Sequence, residues 1–273
     1  MALLIVFSYL TSFPDEYRQK IPTVIFDLYY AYHYLKDIGW NDIYIVTDIP
    51  NNLNIKGLIK PITKGIVNAD IITFISELNA CYIDMDHLLL LIENIAQKHN
   101  RLFIYYSGHA YDSKLILPRL NLNKNETLES RHLIKHLSIH SSKDSQIFCV
   151  FDCCQLSNVG LPYKMKNDIY NLYDIDYLYP QEIICLTSSS EEALIVQYGS
   201  MFSYFLFKYL KKTNDLMKLL KKLNKTCSSL FDQTANIYSS YPDIKMIWGW
   251  IVGRSCQLTI KYDYIAKTIQ INY

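Results

Sequence analysis

Two stretches of sequence decide the fold: RLFIYYSGHA at residues 101–110 and QIFCVFDCCQ at residues 146–155. Each contains a nearly continuous apolar run of strand length, which is typical of a strand covered on both faces in a parallel sheet. Each run then stops at a short segment with a chemically reactive side chain, His109 in the first and Cys154 in the second. Because ligands gather beyond the carboxyl ends of parallel strands, we expect a functional site there.

Strand-like and helical segments alternate on both sides of these stretches. Buried strands are predicted at residues 2–7, 42–46, 101–106, 146–151 and 182–187, with a further one at 256–262. Helical spacing of apolar residues is found at 23–38, 85–97, 128–137, 200–212 and 214–231, and a polar stretch leads into 68–80. The order predicts an α/β fold with a mostly parallel sheet of about six strands and helices on both faces.

The length of 273 residues suits one large domain. A polar, tyrosine-rich connector at residues 163–181 is the one candidate internal boundary, with a larger part at 1–162 and a smaller part at 182–273. The connector contains Lys164 and Lys166.

Composition excludes several functional classes. The formal net charge is +1 and half of the residues are hydrophobic, which excludes an intrinsically disordered chain. Near-zero charge also argues against nucleic-acid binding, and the lysines of residues 208–222 are interpreted as a solvated helical face. No run of 18 apolar residues predicts a membrane span, and the apolar start at residues 1–7 is interpreted as a strand instead of a signal peptide.

Seven cysteines are present, and none forms the paired C-x-x-C arms of a zinc site. The adjacent Cys153 and Cys154 cannot both point at one site from an extended strand. We therefore expect reduced thiols in a cytoplasmic protein without a metal site.

His109 and Cys154 follow two successive strands of the predicted sheet and lie 45 residues apart in sequence. A thiol attacks as its thiolate, and a neighbouring imidazole both raises the thiolate fraction and donates a proton to the leaving amine. Gly108 allows an unusual backbone turn beside the imidazole. The backbone amides of Gly108 and Cys154 are candidate oxyanion donors.

YSGHA at residues 106–110 and DCC at 152–154 resemble the caspase-like cysteine peptidases, and the metacaspase branch in particular. That family has a tyrosine-serine-glycine-histidine-glycine segment at its base and an aspartate-any-cysteine-histidine-serine-glycine segment at its nucleophile. Residues 186–193, 199–203 and 238–242 resemble further family segments, so the similarity extends from about residue 2 to about residue 262. The resemblance implies a three-layer caspase-hemoglobinase fold and a cysteine endopeptidase related to cell death.

By the same resemblance, His109 corresponds to the general base and Cys154 to the nucleophile. Asp27, Ser107 and Asp152 correspond to residues that line the substrate pocket. Two carboxylates in one small pocket favour a cationic side chain. The resemblance therefore implies cleavage of protein or peptide substrates after Arg or Lys. A purely structural role is the alternative for Asp27, because a carboxylate in the first turn of a helix interacts favourably with the helix dipole.

The sequence departs from the family pattern at several positions. Ala110 replaces the glycine after the base, and Gln155-Leu156-Ser157 replaces histidine-serine-glycine after the nucleophile. Many metacaspases bind calcium through aspartates, but residues 113–118 lack the expected aspartate and position 161 is leucine. Glu126 and Glu129 are the acidic residues near the remaining pair, and a hard cation needs several oxygen ligands. We therefore expect neither a calcium requirement nor a cofactor.

Two other functions remain open. The altered residues around Cys154 suit a catalytically weak or inactive homologue that acts as a binding or decoy protein. A nucleotide-binding protein of the doubly wound class is disfavoured because no glycine-rich loop follows the first strand. The family resemblance also favours a monomer, and the composition predicts that it binds neither membranes nor nucleic acid.

Overall fold

The computed structural model describes residues 1–9, 21, 23–49, 84–118, 126–166, 169–173, 177–188, 200–231, 234–253, 259–263 and 268–272. Residues 68–80, the similar segment at 189–193, Gly199, Cys81 and Cys256 lie outside the described residues. The strands are β1 (Ala2–Val6), β2 (Ile43–Thr47), β3 (Arg101–Ser107), β4 (Ala110–Tyr111), β5 (Lys114–Leu117), β6 (Glu126–Glu129), β7 (Gln146–Asp152), β8 (Tyr163–Lys166), β9 (Ile169–Leu172), β10 (Glu182–Thr187), β11 (Asn236–Ser239), β12 (Thr259–Asp263) and β13 (Thr268–Asn272). The helices are α1 (Val24–Asp37), α2 (Met85–Lys98), α3 (Ser130–His140), α4 (Met201–Leu210), α5 (Leu216–Phe231) and α6 (Gly249–Val252).

The central sheet has the strand order β2-β1-β3-β7-β10-β11-β8-β9. The first five strands in this order are parallel to one another. All five residues of β1 and the six residues from Leu102 to Ser107 in β3 are buried, so both faces of the sheet are covered. The prediction of an α/β fold with a mostly parallel sheet is confirmed.

The helices divide between the two faces for a topological reason. The crossover from β1 to β2 runs in one direction across the sheet, and the crossovers from β2 to β3 and from β3 to β7 run in the other. Because such crossovers are right-handed, α1 lies on one face while α2 and α3 lie on the opposite face. The packing agrees, since α1 contacts α4, α4 contacts α5, and α2 contacts α3.

The antiparallel end of the sheet differs from the sequence-based expectation. β11 runs antiparallel to β10, and β8 and β9 extend the sheet beyond it. The sequence predicts a polar connector at 163–181, and in the structure the first part of this segment forms β8 and β9 of the main sheet. The predicted last strand at 256–262 also does not join this sheet, because β12 pairs with β13 in a separate hairpin.

Local sequence explains where the elements begin and end. The Asp84 side chain accepts a hydrogen bond from the His87 amide at 2.9 Å, which caps the start of α2. α1 ends before Gly39, whose φ of +90° lies in the left-handed region. The predicted helix at 128–137 begins later, since residues 126–129 form β6 and pair with β5.

Within the described ranges, no helix is both long and apolar enough to cross a lipid bilayer.

Candidate active site

The carboxyl ends of β3 and β7 lie side by side at one edge of the sheet. Ser107 and Asp152 are register partners there, each the last residue of its strand. His109 and Cys154 each follow two residues later, so the two loops that carry them leave the same edge. The edge lies next to β1, where the order of the parallel strands reverses direction, and this is the place where α/β sheets bind ligands.

The two loops are also joined by hydrogen bonds. The turn between β4 and β5 has positive φ at Asp112 (49°) and Ser113 (58°), as a tight two-residue hairpin turn requires. The Ser113 amide donates to the Gln155 carbonyl at 3.0 Å, and the Asn158 amide donates to Ser113 Oγ at 3.1 Å. The hairpin after His109 is therefore held against the loop after Cys154.

The turn after β7 separates the two adjacent cysteines. Cys153 is 3% exposed, and burial raises the pKa of its thiol well above the usual range. Its amide donates to Ser188 Oγ at 3.1 Å, and that hydroxyl donates back to the Cys153 carbonyl at 3.2 Å. Cys154 is partly exposed, and Gln155 after it has a φ of +50°. Of the two adjacent cysteines, Cys153 is buried and Cys154 is partly exposed.

Two tyrosines hold the backbone of His109. Its amide donates to Tyr9 Oη at 2.9 Å, and its carbonyl accepts from Tyr106 Oη at 2.6 Å. The Tyr9 ring also lies against the imidazole, with ring centroids 4.6 Å apart. Tyr9 Oη donates to the Ile116 carbonyl at 2.7 Å, which ties this arrangement to β5. Burial raises the pKa of both phenols, so they act as neutral hydroxyls.

Gly108 is needed because these tyrosines approach it closely. A Cβ there would lie 2.9 Å from Tyr9 Oη and 3.0 Å from Tyr106 Oη, so a side chain would force at least one hydroxyl to move. The Gly108 amide, a candidate oxyanion donor by sequence, is directed at the Asp152 carbonyl at 3.4 Å. That distance is at the long limit of a hydrogen bond, so an oxyanion must displace a weak existing contact.

Asp27 and Asp152 form a buried acidic pair with Ser107. They are 2% and 6% exposed, respectively. Ser107 Oγ donates to one Asp27 oxygen at 2.9 Å, and the Ser200 amide donates to the other at 2.7 Å. Ser203 Oγ donates to Asp152 at 2.5 Å. The structure thus brings together the three residues that the sequence analysis assigned to a substrate pocket.

The electrostatics of this acidic pair are unfavourable without a partner. Burial raises the pKa of the Asp27 carboxyl well above its usual range, and the neighbouring charge of Asp152 raises it further. Burial also raises the pKa of Asp152, although the serine hydroxyls around it oppose the shift. Within the part of the chain that the structure describes, no Lys or Arg pairs with either carboxylate. A cation placed between them would allow both to ionise.

Several residues around the site were not assigned a role from the sequence. Ser200 and Ser203 belong to a segment that resembles the family pattern before α4, but their contacts with Asp27 and Asp152 depend on tertiary packing. Tyr105 Oη lies 2.6 Å from Ser203 Oγ and joins the same network. Tyr9 lies 100 residues from His109 in sequence, and no local pattern indicated their contact.

The acidic residues considered for calcium are engaged elsewhere. Glu129 accepts from Arg131 Nε at 2.7 Å, and Glu126 accepts from the Met85 amide at 3.2 Å. Leu161 is buried in the core.

Comparisons with known proteins add a fold relationship. No family model and no curated protein matches the sequence. The crystal structure of protein GSU0716 from Geobacter sulfurreducens matches with a TM-score of 0.54 and 12% identity, covering 89% of this chain and 94% of that one. The two chains share a fold. Caspase-1 from Spodoptera frugiperda matches with a TM-score of 0.49 and 11% identity, covering 94% of this chain and 90% of that one. A shared fold does not determine function, so the activity depends on the residues of the site.

Proposed function

We propose that the protein is a cysteine endopeptidase that cleaves after Arg or Lys. The observation that carries the proposal is the register of Ser107 with Asp152. It places a histidine and a partly exposed cysteine two residues beyond one edge of the sheet, next to a buried acidic pair. The resemblance of both motifs to those of metacaspases supports the same reading.

The proposed reaction uses His109 and Cys154. His109 accepts the proton of the Cys154 thiol, and the thiolate sulfur attacks the carbonyl carbon of the scissile bond. The carbon–nitrogen bond then breaks as His109 donates the proton to the leaving amine. Water, deprotonated by His109, hydrolyses the thioester and restores the thiol. The Cys154 amide, and the Gly108 amide once it leaves the Asp152 carbonyl, stabilise the negative oxygen.

Substrate choice in this proposal rests on Asp27 and Asp152. Among the described residues no Lys or Arg pairs with these carboxylates, and an Arg or Lys side chain of the substrate would favour the ionised form of both groups. Ser107 orients Asp27 through its 2.9 Å hydrogen bond. An acidic substrate side chain would add further negative charge beside this pair and is excluded.

The adjacent cysteines provide a matched test. Cys154→Ala is expected to lower the turnover of an Arg-ended fluorogenic peptide by about three orders of magnitude or more. Cys153→Ala is the control, since it removes a buried thiol one residue away and should leave turnover within roughly twofold of wild type. Equal losses in both variants would contradict the assignment of the nucleophile.

A basic peptidyl electrophile tests the alternative binding role. Mass spectrometry should find one adduct, on Cys154, and a peptide electrophile ending in Asp should give none. An unlabelled, folded wild-type chain would favour the inactive homologue. The same assays with calcium and with a chelator test the expectation that no metal is needed for turnover. Gel filtration tests the expected monomer.

A further inference from the structure

A group of possible metal ligands lies between α2 and α3, away from the candidate active site. Glu93 belongs to α2, and His136 and His140 belong to α3. One ligand atom from each of these residues lies within 4.8 Å of the other two. The two histidines are four residues apart, so they lie on one face of their helix, a spacing that recurs in zinc sites.

One ring nitrogen of His136 already has a protein partner, as is common for metal-binding histidines. Its Nε2 lies 3.1 Å from the Leu89 carbonyl oxygen. Because a carbonyl only accepts hydrogen bonds, Nε2 carries the proton and Nδ1 keeps its lone pair. Metal-binding histidines commonly donate their second nitrogen to a carbonyl or carboxylate, which fixes the ring and the tautomer. Leu89 supplies that partner from the helix that carries Glu93.

The spacing between His140 and Glu93 suits a tetrahedral ion. Nδ1 of His140 lies 3.6 Å from Glu93 Oε1. Ligand atoms bound at ~2.0–2.2 Å to a tetrahedral zinc ion are separated by roughly 3.3–3.5 Å, so a small movement would close the site. The rings of His136 and His140 have centroids 4.5 Å apart. The His140 and Glu93 side chains are 24% and 34% exposed, so an ion can reach them from solvent.

We propose that Glu93, His136 and His140 bind Zn²⁺ and join α2 to α3. Two imidazoles and one carboxylate are a ligand set that zinc accepts, with the fourth position open to water. His136 also borders a cleft of about 330 Å³ that is lined by His132, Tyr177 and Tyr179 among others. The proposal departs from the sequence-based expectation of no metal site, and it is independent of the peptidase proposal.

Binding is best measured in a Cys154→Ala background, which removes the partly exposed thiol as a competing ligand. Titration calorimetry with Zn²⁺ should give one site per chain. Glu93→Gln and His140→Gln should each weaken that site at least about tenfold, since each removes one of three ligands. His87→Ala is the control, because His87 is an exposed α2 histidine outside the group, and it should bind as the parent does.

Two further measurements separate this site from other binding. Zinc at a hundredfold excess over its Kd should raise Tm by roughly 5 °C in the parent and not in His140→Gln. The Tm without metal shows whether each variant is folded. Co²⁺ bound in place of Zn²⁺ should give visible bands without sulfur-to-metal charge transfer. Unchanged affinity in both ligand variants, a thiolate spectrum or no zinc binding at all would overturn the proposal.

Discussion

The phenol of Tyr9 accepts a hydrogen bond from the His109 amide at 2.9 Å, and its ring lies against the imidazole of the same residue. Tyr9 follows β1, while His109 follows β3. Three neighbouring strands, β1, β3 and β7, thus each supply part of one arrangement around the proposed nucleophile. In the proposed peptidase, Tyr9 is a positioning residue that fixes the direction of the imidazole through the backbone.

Tyr9→Phe keeps the ring and removes the hydroxyl. We expect kcat to fall about tenfold with little change in KM, because a buried amide without its acceptor costs ~1–3 kcal/mol and lets His109 shift. Steady-state kinetics with an Arg-ended peptide measure kcat and KM separately. Tyr34→Phe is the matched control, since Tyr34 is a buried tyrosine that donates to the Ile251 carbonyl elsewhere in the fold. Equal losses in the two variants would indicate general destabilisation.

Gly108→Ala is expected to reduce both stability and activity. The new Cβ would lie 2.9 Å from Tyr9 Oη and 3.0 Å from Tyr106 Oη, and overpacking of this kind costs ~1–3 kcal/mol. Urea unfolding measures the loss. Combining the change with Tyr9→Phe removes one of the two clashing hydroxyls, so the double variant should lose less stability than the sum of the single variants. Strict additivity would show that the clash is relieved in another way.

The sequence was sufficient to predict the parallel half of the sheet. Its strands are buried on both faces and therefore read as continuous apolar runs, and the reactive residues follow directly after them. β8 and β9 were missed because they lie at the antiparallel end of the sheet, where no apolar run marks them and Ile169 and Leu172 of the edge strand β9 are largely exposed. Edge strands of this kind are defined by their pairing partners more than by their own composition.

The candidate site could be predicted only in part, because some of its contacts join residues that are far apart in the sequence. His109 and Cys154 were found because chain order and strand direction place them at one edge. Tyr9 and Ser200 were not found, because their contacts with His109 and Asp27 join residues 100 and 173 positions apart. The proposed metal ligands were missed because Glu93 and His136 lie on separate helices, and neither is part of a short motif.

Asp152→Asn is expected to stabilise the fold at neutral pH while lowering activity on basic peptides. The folded protein raises the pKa of Asp152 and of Asp27 above their ordinary values. The native state therefore binds protons more tightly than the unfolded state, and stability falls as pH rises from the ordinary carboxyl pKa of about 4 toward the raised value. An amide at position 152 cannot ionise, so it avoids this loss and also relieves the repulsion on Asp27.

Urea unfolding of wild type and Asp152→Asn at several pH values measures this effect. The stability advantage of the variant should be largest at pH 7–8 and should shrink toward pH 4 and below. Asp37→Asn is the control, since Asp37 is exposed and pairs with Lys211 at 2.6 Å. It should be neutral or slightly destabilising, by less than about 1 kcal/mol. An Asp152→Asn variant that is less stable than wild type at pH 8 would contradict a buried acidic pair that lacks a cationic partner among the described residues.

Self-cleavage after Lys164 or Lys166 is expected not to occur in the folded protein. The sequence placed both lysines in a connector, where a peptidase specific for basic residues would find them. The structure places them in β8, where Lys164 is paired with Tyr238 on one side and Asn171 on the other. The Lys164 ammonium also lies 5.1 Å from the centre of the Tyr238 ring and 5.3 Å from that of Tyr173. A substrate must present an accessible extended backbone, so β8 would first have to leave the sheet.

Intact-mass measurement of the wild-type chain after prolonged incubation should show no fragment that ends at either lysine. The double variant Lys164→Ala/Lys166→Ala should match wild type in kcat, because no cut in β8 is needed for activity. Addition of urea below the unfolding transition supplies a positive control, since partial opening of the sheet edge should expose the sites. Fragments that form without urea in wild type, and not in Cys154→Ala, would show that β8 opens readily and that processing belongs to the activity.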